Sequence, residues 1–345
     1  MTTGIDTLGL SLDQWADLMT RWGAAPYHGK QIFSWLHQKS ATSWEVMTNL
    51  AQSLRERLSA EFGSPEPRIV GHLTNEEAHK FAIQWHDDSV VEAVAIRGQR
   101  GDTGCISVQV GCRVQCPYCA SGKKGFVRDL TAGEIVAQVL VLRRACPGLD
   151  HLVFMGMGEP FHNYDNLMHA IGIINTPSGI GIGARRVTIS TAGVVPEIYR
   201  LANESLQVNL AVSLGAAQED LRRKLIPMAK VYSFRQLMPA LDAYLEKTHR
   251  RVSFEYTLLQ GVNDRFAHAD ALAALVRGRL IHVNLIPYNS VENLGFQAPR
   301  HQEIKAFRDR LEHLKVPVTI RQSRGSRIQA ACGQLAARVQ NERTT

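Results

Sequence analysis

Several features are scarce in this chain of 345 residues, and each absence excludes a class of protein. No run of eighteen apolar residues occurs, so we expect no membrane span and no membrane partner. The first segment, MTTGIDTLGLSLDQW, has no basic stretch followed by an apolar one, so we do not expect a secretory signal. Six cysteines are too few for a disulfide scaffold in a chain of this length. There is no internal repeat and no low-complexity segment. We therefore predict a cytoplasmic protein.

The composition predicts a large core and an anionic partner. Hydrophobic residues make up 45% of the chain, which is enough for one large domain with an attachment, or for two domains. The net charge is +7, and nucleic acid is the usual partner of such a basic chain. Many enzymes are also mildly basic, so charge alone does not decide the partner.

The first 63 residues predict a module of three short helices. Ser11 is a candidate cap for the first helix, whose apolar residues recur at helical spacing, and the second helix follows Pro26. The apolar residues of the third helix are Met47, Leu50, Leu54 and Leu58. The basic residues expected on the module's surface are Arg21, Lys30, His37, Lys39, Arg55 and Arg57.

Residues 64–98 predict a linker and a short β extension, and residues 99–345 predict alternating strands and helices. A capping-box spacing at Thr131 and Glu134 marks the start of one of these helices. Such alternation is typical of parallel β/α units, either in a barrel or in an open sheet. The strands expected after residue 98 are Ile106–Val110, His151–Met155, Arg186–Thr191, Val208–Leu214, Val252–Leu258, His282–Ile286 and Val316–Arg321.

Half of the cysteines lie in one loop, GCRVQCPYCASGKKGF, after an expected strand. Cys112, Cys116 and Cys119 have the spacing C-x3-C-x2-C, which lets a loop fold its thiolates around one centre. Soft thiolates bind iron–sulfur clusters, zinc or copper, and three ligands leave one position open. No second cysteine pair that could complete a zinc site is present, so the spacing favours an iron–sulfur cluster over zinc.

This cysteine loop resembles that of the radical S-adenosylmethionine superfamily. The resemblance implies a [4Fe–4S] cluster whose unique iron binds S-adenosylmethionine and whose electron cleaves it to a 5′-deoxyadenosyl radical. Six further segments occur in order: FMGMGEPFHNYDNL, RRVTISTAGVVPEI, LAVSLGAAQEDLRRKLIPM, FEYTLLQGVND, VNLIPYN and AACGQL. Together with the N-terminal module they resemble the RlmN- and Cfr-type adenosine methyltransferases. The implied fold is α/β, a partial (β/α) barrel of the radical SAM type with a small N-terminal helical domain.

The resemblance also implies roles for individual residues. Cys332 in AACGQL matches the cysteine that becomes methylated, Cys105 matches its thiol partner, and Glu92 matches the proton acceptor. The positions that match contacts to S-adenosylmethionine are Gly158, Glu159, Ser190, Ser213, Leu214, Gly215 and Asn289. Cys146 matches no role, and we expect it to be a small buried thiol.

The implied reaction is methylation of an adenine ring carbon. The methyl group of Cys332 is activated by the radical and adds to the ring, Glu92 takes the ring proton, and Cys105 attacks the Cys332 sulfur to release the product. The expected substrate is an adenosine in 23S ribosomal RNA, with transfer RNA as a second candidate and C2 favoured over C8. The expected electron donor is a flavodoxin or ferredoxin system. Two alternatives are C8 methylation that confers antibiotic resistance and a non-catalytic, zinc-dependent RNA-binding protein.

Three positions depart from the family pattern. Gly215 replaces a common histidine, Arg327 replaces a common aspartate, and Ser121 stands where threonine is frequent. These departures put the target nucleotide and the ring carbon in doubt, but they leave the cysteines and Glu92 unchanged. Basic residues near the motifs are candidates for RNA contact: Lys123, Lys124, Arg128, Arg321, Arg324 and Arg327.

Overall fold

The computed structural model describes residues 6–99, 101–321 and 324–336, and these form twelve strands. The strands are β1 (Arg68–Thr74), β2 (Ala78–Gln84), β3 (Val90–Ile96), β4 (Asp102–Cys105), β5 (Gln109–Gly111), β6 (Phe126–Asp129), β7 (Leu149–Phe154), β8 (Val187–Thr191), β9 (Asn209–Ser213), β10 (Val252–Leu258), β11 (Ile281–Pro287) and β12 (Val318–Ile320).

The same residues form eleven α-helices. They are α1 (Leu12–Arg21), α2 (Tyr27–Phe33), α3 (Gln52–Phe62), α4 (Ala120–Lys124), α5 (Ala132–Ala145), α6 (Tyr164–Asn175), α7 (Val195–Leu201), α8 (Glu219–Leu225), α9 (Phe234–Thr248), α10 (Phe266–Val276) and α11 (His301–His313). None of the described helices combines the length and the apolar character needed to cross a membrane.

One large sheet carries the fold, and within the described residues its strand order is β1-β2-β3-β4-β7-β8-β9-β10-β11-β12. The first four strands pair antiparallel, and every pair from β4 to β12 is parallel. β5 and β6 form a separate antiparallel hairpin. Since β1 and β12 are the two edges of the order, the barrel is partial, and the predicted α/β fold class is confirmed. In such β/α folds the chemistry gathers at the carboxyl ends of the parallel strands.

The predicted strand Ile106–Val110 is wrong. The parallel strand β4 ends at Cys105, and the chain then crosses to the hairpin strand β5. Along the crossing, Ile106 donates its N–H to the Val153 carbonyl and Val108 donates to the Met157 carbonyl. The apolar residues Ile106 and Val108 are buried there, and a buried crossing has the same sequence pattern as a buried strand.

The N-terminal helices pack closely around buried aromatic rings. Ser11 and Gln14 form a reciprocal capping box at the start of α1, as predicted. A Cβ atom on Gly29 would lie 2.6 Å from the Trp15 carbonyl carbon, so a side chain there would separate α1 from α2. The third helix starts at Gln52, later than predicted, because Met47 and Leu50 lie in turns.

The surface position predicted for His37 is also wrong. His37 is 0% exposed and lies in a π-helical turn (Ser34–Gln38) that continues α2. Its ring contacts the Phe33 ring at a centroid distance of 4.3 Å, and neither ring nitrogen has a hydrogen-bond partner among the described residues. A Cβ atom on Gly179 would lie 3.1 Å from the His37 Cβ, so the ring sits where the module meets the barrel.

We expect the buried His37 to make folding sensitive to acid. Burial lowers the pKa of His37 to about 3, so below pH 6.5 the unfolded chain binds a proton that the folded chain excludes. Stability therefore falls as pH drops, and His37 alone should remove about 2 kcal/mol of unfolding free energy between pH 7.5 and pH 5. Urea unfolding of the wild type and a His37→Leu variant at both pH values measures this difference. Equal acid losses in the two proteins would contradict it.

Candidate active site

A tight loop brings the three clustered cysteines together between β5 and α4. Gly111 has a φ of +77°, and a Cβ atom there would lie 1.7 Å from the Gly125 carbonyl oxygen. The Cys112 N–H donates to that carbonyl at 2.8 Å, and the Cys119 N–H donates to the Cys116 carbonyl at 3.1 Å. The two ends of the loop therefore meet at Cys112 and Gly125, a turn forms within it at Cys119, and glycine is required at position 111, where the ends meet.

The cysteine loop suits a cationic iron–sulfur cluster. Burial, together with the nearby Glu159 and Cys119, raises the pKa of the Cys112 thiol to about 12. Burial and the other two cysteines raise the pKa of Cys116 well above its usual range. Buried thiolates that repel one another need a cation, which a metal group supplies.

The spacing of the side chains does not suit a single metal ion. Within the described part of the chain, no three His, Cys, Asp or Glu side chains converge on a position that could hold one ion. A zinc ion draws each sulfur to about 2.3 Å, whereas a cluster holds each cysteine on a different iron. Cys112, Cys116 and Cys119 lie on one short loop and have no disulfide partner among the described residues, so the residue types present fit the ligand set of a cluster.

A cavity of about 560 Å³ opens at the carboxyl ends of β4, β7 and β11. Cys105 and Cys332 both line it, although they are far apart in the chain. Cys332 is exposed, but its accessible surface faces this cavity, whose walls enclose it. That enclosure raises the pKa of the Cys332 thiol, while the nearby Arg321 guanidinium lowers it. Burial raises the pKa of Cys105 far above its usual range, and the Cys332 charge adds to the effect. Cys105 and Cys332, two of the predicted site residues, therefore face the same cavity.

Residues 324–336, here called the Cys332 loop, are held beside the cysteine loop. Gly333 accepts a hydrogen bond from the Ala120 N–H at 2.9 Å, and Leu335 accepts one from the Ser121 hydroxyl at 2.6 Å. Asn289 donates its side-chain amide to the Cys332 carbonyl at 3.3 Å. Asn289 therefore lines the cavity, and its amide contacts protein backbone. The Ser121 departure keeps a hydroxyl that anchors the Cys332 loop.

Glu92 lies beneath the Cys332 loop, but it is not among the residues that line the cavity. It is 1% exposed, and its Oε1 forms an ion pair with Lys80 Nζ at 3.0 Å. Its Oε2 accepts the Ala336 N–H at 2.8 Å. Both carboxylate oxygens are therefore engaged by the protein.

Glu159 directs its carboxylate at the neighbouring strand β8. Thr191 Oγ1 donates to Oε1 at 2.6 Å, and the Ala192 N–H donates to Oε2 at 2.7 Å. Burial raises the pKa of Glu159 to about 7, and these hydrogen bonds oppose the rise. The side chain therefore braces the turn that carries Gly158, whose φ is +101° and whose Cβ would lie 2.5 Å from the Gln109 Cβ. The Glu159 N–H is also engaged by the protein, since it donates to Gln109 Oε1 at 2.9 Å.

The remaining predicted cofactor positions lie at the ends of β8 and β9. Ser190 Oγ and Ser213 Oγ are 3.3 Å apart. Leu214 is fully buried in the core. Gly215 has a φ of +70°, and a Cβ there would lie 2.9 Å from Ile226 Cγ1, so the departure from histidine suits the local packing.

A row of polar side chains beside Ser213 was not predicted from the sequence. Ser213, Glu255, Asn284 and Thr319 are register partners across β9, β10, β11 and β12. Asn284 donates to Glu255 at 2.8 Å and accepts from Thr319 at 2.8 Å. Arg321 Nε lies 3.5 Å from Glu255, so Arg321 links this row to the cavity that it lines. The signal available in the sequence for this row was the presence of polar residues in otherwise apolar strands.

Among the basic residues proposed for RNA contact, Arg128 is engaged within the protein. Its guanidinium pairs with Asp87 at 2.6 Å and with Glu134 at 2.7 Å. Arg321 and Arg324 line the cavity, where a polyanion could reach them. Arg128 is therefore a structural brace that joins the β extension to α5.

Comparison with protein families gives two matches. The radical SAM superfamily model matches residues 106–273, and the N-terminal domain model of ribosomal RNA large subunit methyltransferases matches residues 5–62.

Curated relatives cover nearly the whole chain. A probable dual-specificity RNA methyltransferase RlmN from Thermoanaerobacter sp. (strain X514) is 40% identical over 97% of this chain and 98% of its own. A protein of the same name from Geobacillus kaustophilus is 42% identical over 97% of this chain and 93% of its own. Among solved structures, a radical SAM methyltransferase from Sphaerobacter thermophilus superposes with a TM-score of 0.94 at 41% identity, covering 96% of this chain and 99% of its own.

Proposed function

Because this chain belongs to the radical SAM family of RlmN-type RNA methyltransferases, we propose that Cys332 carries the methyl group that the enzyme transfers to an adenine ring carbon. The chain is an RNA methyltransferase whose cofactors are a [4Fe–4S] cluster and S-adenosylmethionine. The observation that carries the proposal is that Cys332 and Cys105 line one cavity, with the Cys332 loop hydrogen-bonded to the cysteine loop at Ala120 and Ser121. The relatives give no support to the alternative of a non-catalytic zinc protein.

The cysteine loop and the strand ends supply the cofactor site. Cys112, Cys116 and Cys119 would hold the cluster, and the Gly158–Glu159 backbone, Ser190, Ser213, the Leu214–Gly215 backbone and Asn289 would contact S-adenosylmethionine. When bound, these groups supply a methyl group for a thiol and an organic radical that activates the methyl group. The division into a module of residues 1–63, an extension of residues 64–98 and a barrel of residues 99–345 belongs to the same proposal.

The chain's own residues complete the transfer. The methylene carbon on the Cys332 sulfur becomes bonded to the adenine carbon, which leaves one unpaired electron on the adduct. That electron returns to the redox system that supplied it, and Glu92 takes the ring proton once the Ala336 N–H releases its carboxylate, so that the aromatic ring is restored. The Cys105 thiolate then attacks the Cys332 sulfur, which forms an S–S bond and breaks the S–C bond. The electron pair of the broken bond goes to the methylene carbon, which takes up a proton and becomes a methyl group. An external thiol must reduce the disulfide before the next turnover.

Membership of the same family also indicates the RNA substrate and the electron donor. We infer that the enzyme methylates C2 of an adenosine in 23S ribosomal RNA and in transfer RNA, and that it therefore works in the cytoplasm. The cysteine loop ends at Lys123 and Lys124, both exposed, which gives a cationic surface suited to an acidic donor such as flavodoxin or ferredoxin.

Nucleoside analysis of cellular RNA tests this function. We expect 2-methyladenosine in 23S ribosomal and transfer RNA from cells that carry the gene, and none at the same sites after its deletion. Mass spectrometry with synthetic standards separates the C2 and C8 isomers. A gene-dependent 8-methyladenosine would overturn the choice of carbon, and unchanged adenosine methylation would overturn the function.

A further inference from the structure

A buried ion pair joins β2 to β3 beneath the Cys332 loop. Lys80 is 7% exposed and Glu92 is 1% exposed, and their charged groups lie 3.0 Å apart. In the β2–β3 register Ala82 faces Glu92, so Lys80 is the diagonal neighbour on the same face of the sheet. Lysine is rarely buried to this degree without a charged partner.

Each member of the pair also bonds to the Cys332 loop, and the two bonds fall on opposite sides of Cys332. Lys80 Nζ donates to the Gln329 carbonyl at 3.2 Å. Glu92 Oε2 accepts the Ala336 N–H at 2.8 Å. Cys332 lies between these anchor points, so the pair grips the segment that presents the reactive sulfur to the cavity.

A second contact joins the same sheet to the same loop without involving Glu92. Glu77, in the β1–β2 turn, accepts the Gly325 N–H at 3.3 Å. Glu77 is exposed, and its contact lies at the start of the loop, away from Cys332. It provides a matched control for a contact that only fastens the loop.

We propose that Lys80 is a positioning residue for methyl transfer. It holds the Glu92 carboxylate in place and, through Gln329, keeps Cys332 facing Cys105 across the cavity. When the Ala336 N–H moves away from Glu92, Lys80 remains the partner that fixes the carboxylate for proton acceptance. This inference rests on the proposed function of Glu92 and Cys332.

Chemical labelling of Cys332 measures how firmly the Lys80–Glu92 pair holds the Cys332 loop, and it does not require bound cofactors. The purified full-length chain is treated with iodoacetamide, and alkylation of the Cys332 peptide is followed by mass spectrometry. We expect Lys80→Met to increase the alkylation rate about tenfold. The loop loses its bond from Lys80 to Gln329, and its remaining bond, from Ala336, goes to a Glu92 carboxylate whose buried charge is no longer paired. Glu77→Ala should change the alkylation rate by less than about twofold.

A double variant shows whether Lys80 acts through Glu92. In Lys80→Met/Glu92→Gln the pair is neutral, and the Gln side-chain oxygen can still accept the Ala336 N–H. We expect its alkylation rate to return to within about threefold of the wild type. RNA methylation should fall at least ~30-fold in Lys80→Met and in Glu92→Gln, and the double variant should lose no more than the worse single variant, since coupled residues are not additive.

Separate outcomes overturn the two claims. If Lys80→Met shows the wild-type rates of Cys332 alkylation and of RNA methylation, the role of Lys80 is overturned. If Lys80→Met does not fold, the double variant provides the test. The role of Lys80 would then be overturned if Cys332 in the double variant were alkylated as fast as in a urea-unfolded chain. Full RNA methylation by Glu92→Gln would overturn the proposed proton acceptor, and the labelling comparison would still test the grip on the loop.

Discussion

Replacing Cys105 by alanine is expected to give an enzyme that becomes covalently linked to its own RNA substrate. In our proposal the adenine carbon is bonded to the Cys332 methylene group until Cys105 attacks the Cys332 sulfur. Without that thiolate the S–C bond has no route to break. Release of methylated RNA should therefore fall by at least ~10³-fold, and a nuclease-resistant nucleotide adduct should accumulate on the Cys332 peptide. Gel mobility and peptide mass spectrometry detect this adduct.

Two matched cysteine variants complete the test. Cys332→Ala removes the methyl carrier, so it should form neither product nor adduct. Cys146→Ala removes a thiol that is also buried but does not line the cavity, so product formation should stay within about twofold of the wild type. A Cys105→Ala enzyme that releases methylated RNA at the wild-type rate would contradict the disulfide step.

Among the described residues, the structure explains why loss of product release is expected for Cys105 in particular. Cys105 ends β4, where it pairs with Val153 of β7 on one side and Val94 of β3 on the other. A sulfur in the middle of a sheet cannot move far, so the Cys332 loop must bring its own sulfur across the cavity. The contacts of this loop with Ser121 and Asn289 are single neutral hydrogen bonds, each worth about 1 kcal/mol, and such contacts are readily exchanged.

Local features of the site could be predicted from the sequence because they need few distant contacts. Three cysteines within eight residues predict a metal loop by spacing alone. Regular alternation of strands and helices was enough to predict the parallel sheet. The pairing of Cys105 with Cys332 came only through the family resemblance, because no spacing rule joins residues that far apart. Both cysteines line one cavity, which is compatible with that pairing.

Other features depend on side-chain direction, which sequence alone does not determine. A glutamate at a strand end can face a ligand or the next strand, and Glu159 faces Thr191. A lysine in a strand is usually solvent-exposed, and only the shared face with Glu92 explains the burial of Lys80. His37 was placed on the surface because histidine is polar, whereas the packing against Gly179 encloses it. The error at His37 arose because tertiary packing overrode the residue's average preference.

Replacing Gly111 by alanine is expected to abolish cluster binding although no ligand is removed. The added Cβ would lie 1.7 Å from the Gly125 carbonyl oxygen, the same atom that accepts the Cys112 N–H. The backbone must therefore shift by more than an ångström at the first cysteine of the loop. We expect the apoprotein to lose more than about 3 kcal/mol of unfolding free energy or to rebuild the loop, and iron after anaerobic reconstitution to fall from about four to below one per chain.

Gly125→Ala separates this steric clash from backbone strain. Gly125 has nearly the same φ, +79°, with ψ of −172°, but a Cβ there meets no atom within 4 Å beyond its two chain neighbours. Its variant should lose about 1–3 kcal/mol, the cost of a backbone conformation that side chains other than glycine rarely adopt, and keep its iron. Iron and sulfide content and urea unfolding of both variants decide between the two causes. Equal iron loss would mean that the loop depends on glycine dihedral angles, whereas full iron in Gly111→Ala would show that the cysteines can close around a cluster without this contact.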